Sequence, residues 1–252
     1  YAQWSEKPTK KSRITYYINY AQSLDARVSE IECALFTHLE EQVESLVEKW
    51  NQVAAMVDVA VCMSEMYAKK MQKKQAPTIV IPPGVELEVF KQQPLKIGIV
   101  GRVKKTGRKG EKLLAAVMDV PHIDWRFTGS GWPGESTFLK SNELPRFYQD
   151  LDFVLVSSYY EGGPMCVIEA LASGVPVIAP NVGWVPELPH IPYKLGDETS
   201  LKNVLERLVS ERSNLRSSVL DRTWDNFAQK HDVIFSQLLE LPKNFSKKDV
   251  RR

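Results

Sequence analysis

Cysteine is scarce in this sequence. Cys33, Cys62 and Cys166 stand far apart, odd in number and without CxxC spacing. They build neither a disulfide framework nor a zinc site, and they fit a reducing cytosol. Four scattered histidines offer no metal cluster. No apolar run approaches the roughly 18 residues that span a bilayer. The basic start lacks the apolar core of a signal peptide. Neither charge is in excess, since 33 Lys and Arg face 31 Asp and Glu for a net +2, so no global field argues for nucleic acid. Local basic clusters lie at Lys69 to Lys74, Lys104 to Lys112 and Lys243 to Arg252. The first and last read as solvated faces or tails, with weak attraction to anionic lipid as the lesser alternative. GxSxG, HExxH and P-loop motifs are missing as well. The chain opens on Tyr1 rather than Met, which points to a processed protein or a fragment.

What is present is ordinary globular material: 252 residues, 43% hydrophobic and 25% charged, enough for one large domain or two small ones. Residues 1–12 read as a polar, basic arm. Ile14 to Tyr20 reads as a strand. Leu24, Val28, Ile31, Leu35, Leu39, Val43, Leu46 and Trp50 recur at three- and four-residue steps, which predicts one long helix with glutamates, and a solvent-facing His38, off its stripe. Val57 to Met63 reads as a strand, Ser64 as the N-cap of a helix to about Lys74, and Thr78 to Ile81 as a strand closed by Pro82-Pro83-Gly84. A hinge is expected over 85–94.

The second half alternates strand and helix. Strands are expected at Lys96 to Val100, Asp124 to Thr128 and, weakly, Thr137 to Leu139. Helices are expected at Glu111 to Met118 and, capped by Asn142, Glu143 to Gln149. Two helices, Ser200 to Glu211 and Leu215 to Leu239, close the chain. This alternation predicts a parallel sheet covered on both faces.

Asp152 to Glu187 is the richest stretch. A strand from Phe153 gives way to Ser157, Ser158, Glu161 and Gly162-Gly163-Pro164; a helix follows over Met165 to Ala172, and a strand over Val175 to Ala179. This βαβ unit puts its loop at the carboxyl edge of the sheet, where open α/β sheets bind ligands. Pro164 suits a first helical turn. The amides of Met165, Cys166 and Val167 are then helix-start donors that attract anions, and Gly162 and Gly163 allow close approach. Glu169 lies about one turn into the helix, where a carboxylate can accept from paired sugar hydroxyls, at roughly 1.5–3 kcal/mol per charge-assisted bond. The local reading is a phosphate on amides with a polyol beside it. Spacing alone leaves open two surface glutamates beside an ordinary turn.

Arg102 follows a strand and Lys109 starts a helix, so both fall on the same carboxyl edge, where they could neutralise a diphosphate. A plain basic surface loop is the alternative. Two further motifs mislead. Gly129 to Gly134 matches G-x-G-x-x-G, yet it opens no helix and is not in the first βαβ unit. Asp150-Leu151-Asp152 matches the D-x-D of metal-dependent sugar transferases, but it precedes a buried strand at the opposite edge.

Taken together, Gly101-Arg102 with Lys109-Gly110, Glu161 with Glu169, EALASGVPVIA and Pro186-Glu187 resemble the retaining glycosyltransferases of family GT4. SEMYAKKM with IPPGVELEVF resembles that family's crossing between its two domains. The resemblance covers residues 57 to about 190 well and the last helices loosely. It implies a GT-B-like α/β fold, with a complete C-terminal Rossmann-like donor domain over 91–225, an abbreviated or truncated N-terminal α/β domain over 1–90, and a helix and basic tail over 226–252. It implies that Arg102 and Lys109 hold the donor diphosphate, Glu161 the sugar and Glu169 the ribose hydroxyls. The segment Gly162, Gly163, Met165, Cys166 and Val167 would hold the phosphate, and Leu139 and Lys140 fall where the nucleobase is read.

The family's Gly-rich loop near the start of the first domain has no match, nor does its active-site histidine. Asn19, Tyr20 and Gln22 are the only acceptor-side candidates. The expected function is transfer of a sugar from a UDP- or GDP-sugar to an acceptor hydroxyl with retention, by front-face attack guided by the leaving phosphate and without a metal ion or other cofactor. The alternative is a partner-dependent or non-catalytic nucleotide-sugar-binding module. Expected partners are the donor and a carbohydrate, lipid-linked or other hydroxyl acceptor, with a homo-oligomer left open and no nucleic acid. The expected location is the cytoplasm, with a peripheral place at the membrane left open.

Overall fold

The computed structural model describes residues 12–23, 27–72 and 77–242. Residues 1–11 of the expected arm over 1–12, Leu24 of the apolar stripe, Lys73, Lys74 and the cluster from Lys243 lie outside the described residues. The chain divides into two compact units, Tyr1–Phe90 with Val219–Arg252, and Lys91–Ser218.

The first unit carries four strands: β1 (Ile14–Tyr17), β2 (Ile31–Phe36), β3 (Val59–Cys62) and β4 (Thr78–Val80). They pair in parallel, in the order β1-β2-β3-β4. Helix α1 (Glu44–Met56) links β2 to β3, and α2 (Glu65–Gln72) links β3 to β4. Ser64 Oγ accepts from Tyr67 N–H at 3.4 Å, the cap expected for α2.

The long helix expected from Leu24 to Trp50 is not formed. All six residues of β2 are buried. Ile31, Cys33 and Leu35 face one cluster, while Ala34 and Phe36 face another. A parallel strand covered on both sides is apolar along most of its length, here all but Glu32, so it satisfies three-residue steps as readily as two-residue ones. Among the described residues of the stripe, only Leu46 and Trp50 fall in a helix.

α1 and α2 cover the face carrying Ala34 and Phe36, with Trp50, Val53 and Met71 inside. The other face is covered by the last helix, Trp224–Glu240, through Ile234, Leu238, Phe227 and Phe235. Its buried His231 sits 2.8 Å from Tyr16 Oη through Nε2 and 2.8 Å from the Phe227 carbonyl through Nδ1. Residues 226–252 read in the sequence as a separate helix and tail; by packing, this helix belongs to the first unit.

The second unit carries β5 (Leu95–Arg102), β6 (Ile123–Ser130), β7 (Ser136–Thr137), β8 (Phe153–Leu155), β9 (Val177–Ala179) and β10 (Ile191–Pro192). All pair in parallel, in the order β10-β9-β8-β5-β6-β7. Its helices are α3 (Glu111–Val117), α4 (Leu144–Gln149), α5 (Met165–Ala172) and α6 (Glu198–Ser217). Leu155 and Ile178 share one face with Leu113, Leu114 and Val117 of α3 and Leu201 and Leu205 of α6. Val154, Val156, Val177 and Ala179 share the other with Tyr148 of α4 and Val167 and Ala170 of α5. Sheets covered on both faces define the expected α/β, Rossmann-like architecture.

Caps explain where the boundaries differ from expectation. Asp197 caps α6, accepting from Ser200 N–H at 2.9 Å, and Thr223 caps the last helix, accepting from Asn226 N–H at 3.1 Å. The break between these helices is therefore at 218–223 rather than 212–214. Glu143, not Asn142, precedes α4, and its carboxylate accepts from Lys140 N–H at 2.7 Å.

Strand order also locates the crevice. From β5 the chain crosses to β6; from β8 it crosses to β9, the other way, and β5 and β8 are neighbours. Divergent crossings leave a gap at the carboxyl ends of these two strands. The described strands of the first sheet run in consecutive order, without such a reversal.

Candidate functional site

Two loops meet at the gap between β5 and β8. One, 103–110, leaves β5; the other, 156–164, leaves β8. They are stitched together: Tyr159 N–H donates to Arg108 O at 2.9 Å, and Ser157 Oγ donates to Lys109 O at 2.7 Å. Gly110 makes this approach feasible. Its φ is +69°, and a Cβ there would sit 1.9 Å from Ser157 O. The misleading glycine motif packs against the same rim from the neighbouring strand. A Cβ on Gly129 would sit 1.8 Å from Gly101 O, which instead accepts from Trp132 Nε1 at 2.9 Å. As expected, no helix follows that motif; the next element is β7.

Glu161 is the focus of the charges. Lys109 Nζ lies 2.5 Å from its Oε1 and Arg108 Nη1 lies 3.1 Å from its Oε2, while Ser158 Oγ donates to Oε1 at 2.8 Å. The Glu161 side chain is only 8% exposed and that of Lys109 16%. Burial pushes the carboxyl upward, but Lys109, Ser158 and Arg108 outweigh it and hold it below its ordinary value. Glu161 is therefore an ionised acceptor.

α5 rises beside this pair. Glu169 is half-buried, and Tyr148 Oη of α4 donates to its Oε2 at 2.6 Å. Burial, then the bond to Glu169, raises the phenol far above its ordinary range. Burial also pushes the Cys166 thiol up to about 11, so it is no thiolate at neutral pH. One expected donor is spent: Val167 N–H donates to Pro164 O at 3.0 Å. Pro164 is the N-cap rather than the first helical residue. The first-turn amides of Met165 and Cys166 remain as anion donors. Gly163 lies against Trp184, where a Cβ would be 2.4 Å from the ring, whereas Gly162 has nothing within 4 Å.

Arg102 ends β5 in register with Ser130, on the same rim, and is exposed. Among the described residues its guanidinium makes no ion pair. Leu139 and exposed Lys140 lie in the segment between β7 and α4. Asp150 and Asp152 lie at the amino edge, held by Lys96 at 2.6 Å and Arg212 at 2.5 Å. On the first unit, Tyr20 is in the core, stacked on Phe36, while Asn19 and Gln22 are exposed, Asn19 with its Oδ1 taken up in capping the turn after β1 through Ala21 N–H.

Arg108, Ser158 and Tyr148 were missed as site residues. Arg108 stands directly before Lys109 and could have been found from the charge run; Tyr148 is distant in sequence and gave no signal. A cleft of ≈ 440 Å³ adjoins Glu161, lined by Arg108, Tyr159, Tyr160, Gly162, Asn181, Val182, Gly183 and Leu195. Another, of ≈ 420 Å³, lies on the first unit around Leu39 to Val43, Tyr67 and Lys70. No helix among the described residues is long and apolar enough to cross a membrane.

Residues 87–189 match the family model described as Glycosyl transferases group 1, which supports a glycosyltransferase domain over that segment. No curated protein matches the chain. Among solved structures, the chain is similar to the sucrose-phosphate synthase of Thermosynechococcus elongatus, at 19% identity over 90% of this chain and 74% of that one, with a TM-score of 0.39. It is similar to Anabaena HepE in complex with UDP and glucose, at 14% identity over 82% and 72%, with a TM-score of 0.40. It is also similar to the apo lipopolysaccharide outer core galactosyltransferase WaaB, at 14% identity over 86% and 78%, with a TM-score of 0.42.

Proposed function

We propose that this chain is a retaining glycosyltransferase of the GT4 type that moves a sugar from a UDP- or GDP-sugar to an acceptor hydroxyl. The observation that carries this reading is the meeting of Lys109 and Arg108 with buried Glu161 at the sheet's reversal point. Lys109, Arg102 and the Met165 and Cys166 amides surround the place for a diphosphate. Glu161, ionised and fixed by three donors, accepts from the sugar hydroxyls. Glu169 accepts from the ribose. Negative charge grows on the departing diphosphate as the sugar bond breaks. Cations and amides already in place stabilise it without reorganising, an effect worth on the order of 10²–10³ in rate per donor. Side chains and amides supply this positive charge, so the reading calls for no metal ion. Glu161 is committed to two cations and Cys166 stays protonated, so neither is poised as a covalent nucleophile. Retention then follows from attack on the face the phosphate leaves.

Glu169→Ala and Arg102→Ala are each expected to cut transfer by about 10²-fold; near-normal turnover in either refutes the assigned roles. One observation keeps a second reading alive, a nucleotide-sugar-binding module that needs a partner for its acceptor: Tyr20 is buried and Asn19 is a cap. Calorimetry with UDP and GDP, beside a donor-hydrolysis assay, separates the two. Binding without hydrolysis or transfer favours the module; no binding removes both.

A further inference from the structure

The Tyr148–Glu169 contact joins two helices that share no charge logic. α4 is one short helix between β7 and β8, and Tyr148 is its buried aromatic, 1% exposed. Its ring packs in the core under α5, among Val167 and Ala170, while its hydroxyl reaches Glu169 Oε2 at 2.6 Å. A phenol held this firmly in its protonated form has one role toward a carboxylate, that of donor. It fixes the carboxylate plane through Oε2. Oε1 and a second lone pair on Oε2 remain, because an ionised carboxylate offers about four acceptor positions.

Two adjacent hydroxyls on a five-membered ring need two acceptors at a fixed spacing. A carboxylate free to rotate meets them only part of the time, and ordering it on binding costs conformational entropy. A carboxylate already anchored avoids that cost. We propose that Tyr148 is a positioning residue that presets Glu169 to read both hydroxyls of a ribose, so that the site discriminates ribonucleotide from deoxyribonucleotide donors. The inference rests on the donor-site reading above and adds a residue that touches no substrate.

The test is calorimetry on the whole chain with three probes: UDP (or GDP, whichever binds tighter), its 2′,3′-dideoxy analogue, and inorganic pyrophosphate. Tyr148→Phe removes only the hydroxyl. It is expected to weaken the ribonucleoside diphosphate by about tenfold while leaving the dideoxy analogue and pyrophosphate unchanged. Glu169→Gln is expected to erase the same preference, and adding Tyr148→Phe to it should change nothing further. Equal weakening of all three probes by Tyr148→Phe marks a packing role and overturns the proposal. So does unchanged affinity for the ribonucleotide. Wild-type protein that binds UDP and its dideoxy analogue equally overturns it too, while sparing the phosphate cradle. Wild-type protein that binds none of the probes overturns both this inference and the donor reading.

Discussion

Lys109 and Glu161 lie 52 positions apart in sequence and meet at 2.5 Å on the rim of the second sheet. The pair joins the loop after β5 to the loop after β8, the two strands at which the winding reverses. Lys109→Ala leaves a carboxylate 8% exposed with Arg108 and Ser158 as its remaining partners. Loss of about 1–3 kcal/mol of stability is expected, with diphosphate affinity falling in parallel. Denaturant titration and calorimetry read the two effects.

The same pair gives a pH dependence. The Glu161 carboxyl is held below its ordinary 4.5, since its cations and Ser158 outweigh burial. A carboxyl depressed on folding favours the folded state above its ordinary value, and this contribution is lost as pH falls through the folded value. Stability is therefore expected to decline as pH drops below about 4.5. Glu161→Gln should flatten that decline in thermal melts across the acid range. An identical slope in the variant removes Glu161 from the linkage.

Adjacent glycines should behave differently. A Cβ at Gly162 meets nothing within 4 Å, while one at Gly163 comes within 2.4 Å of the Trp184 ring. Gly162→Ala is expected to stay within about 0.5 kcal/mol of the parent in stability, and to lose donor affinity only through crowding of the ligand. Gly163→Ala should cost about 1–3 kcal/mol because Trp184 must move. Melting curves with and without UDP distinguish them.

The last helix predicts a unit-specific effect. Ile234 is 6% exposed and packs on the β2 face of Ile31, Cys33 and Leu35. Ile234→Ala is expected to cost about 2–5 kcal/mol. Amide exchange should accelerate in β2 and β3 and leave β5 and β6 protected. Uniform acceleration in both sheets contradicts the assignment of this helix to the first unit.

Much of the second unit was readable because its signals are local. Pro164, the apolar run after it and Gly174 mark both ends of α5, and Phe153, Val154 and Leu155 form the short apolar run expected of a buried strand. The two-sided burial of Ile31 to Phe36 was not readable, since a run covered on both faces carries no period of its own. Nor was the role of Tyr148, whose importance arises from meeting Glu169 in space. Val167 illustrates a smaller failure: helix-start position identifies a free donor only until Pro164 O bends back to take it. The break at 218–223 was blurred because Leu215, Val219 and Leu220 continue the helical rhythm past the point where Thr223 restarts the backbone.

The return of Trp224–Glu240 to the first sheet has a consequence for biosynthesis. A ribosome delivers β1 to β4 before the helix that covers their second face, with the whole of the second unit made in between. The nascent chain must carry one uncovered apolar face of that sheet while the second unit is made. Any stop ahead of residue 224 strands it in that state, as a substrate for chaperones and proteases.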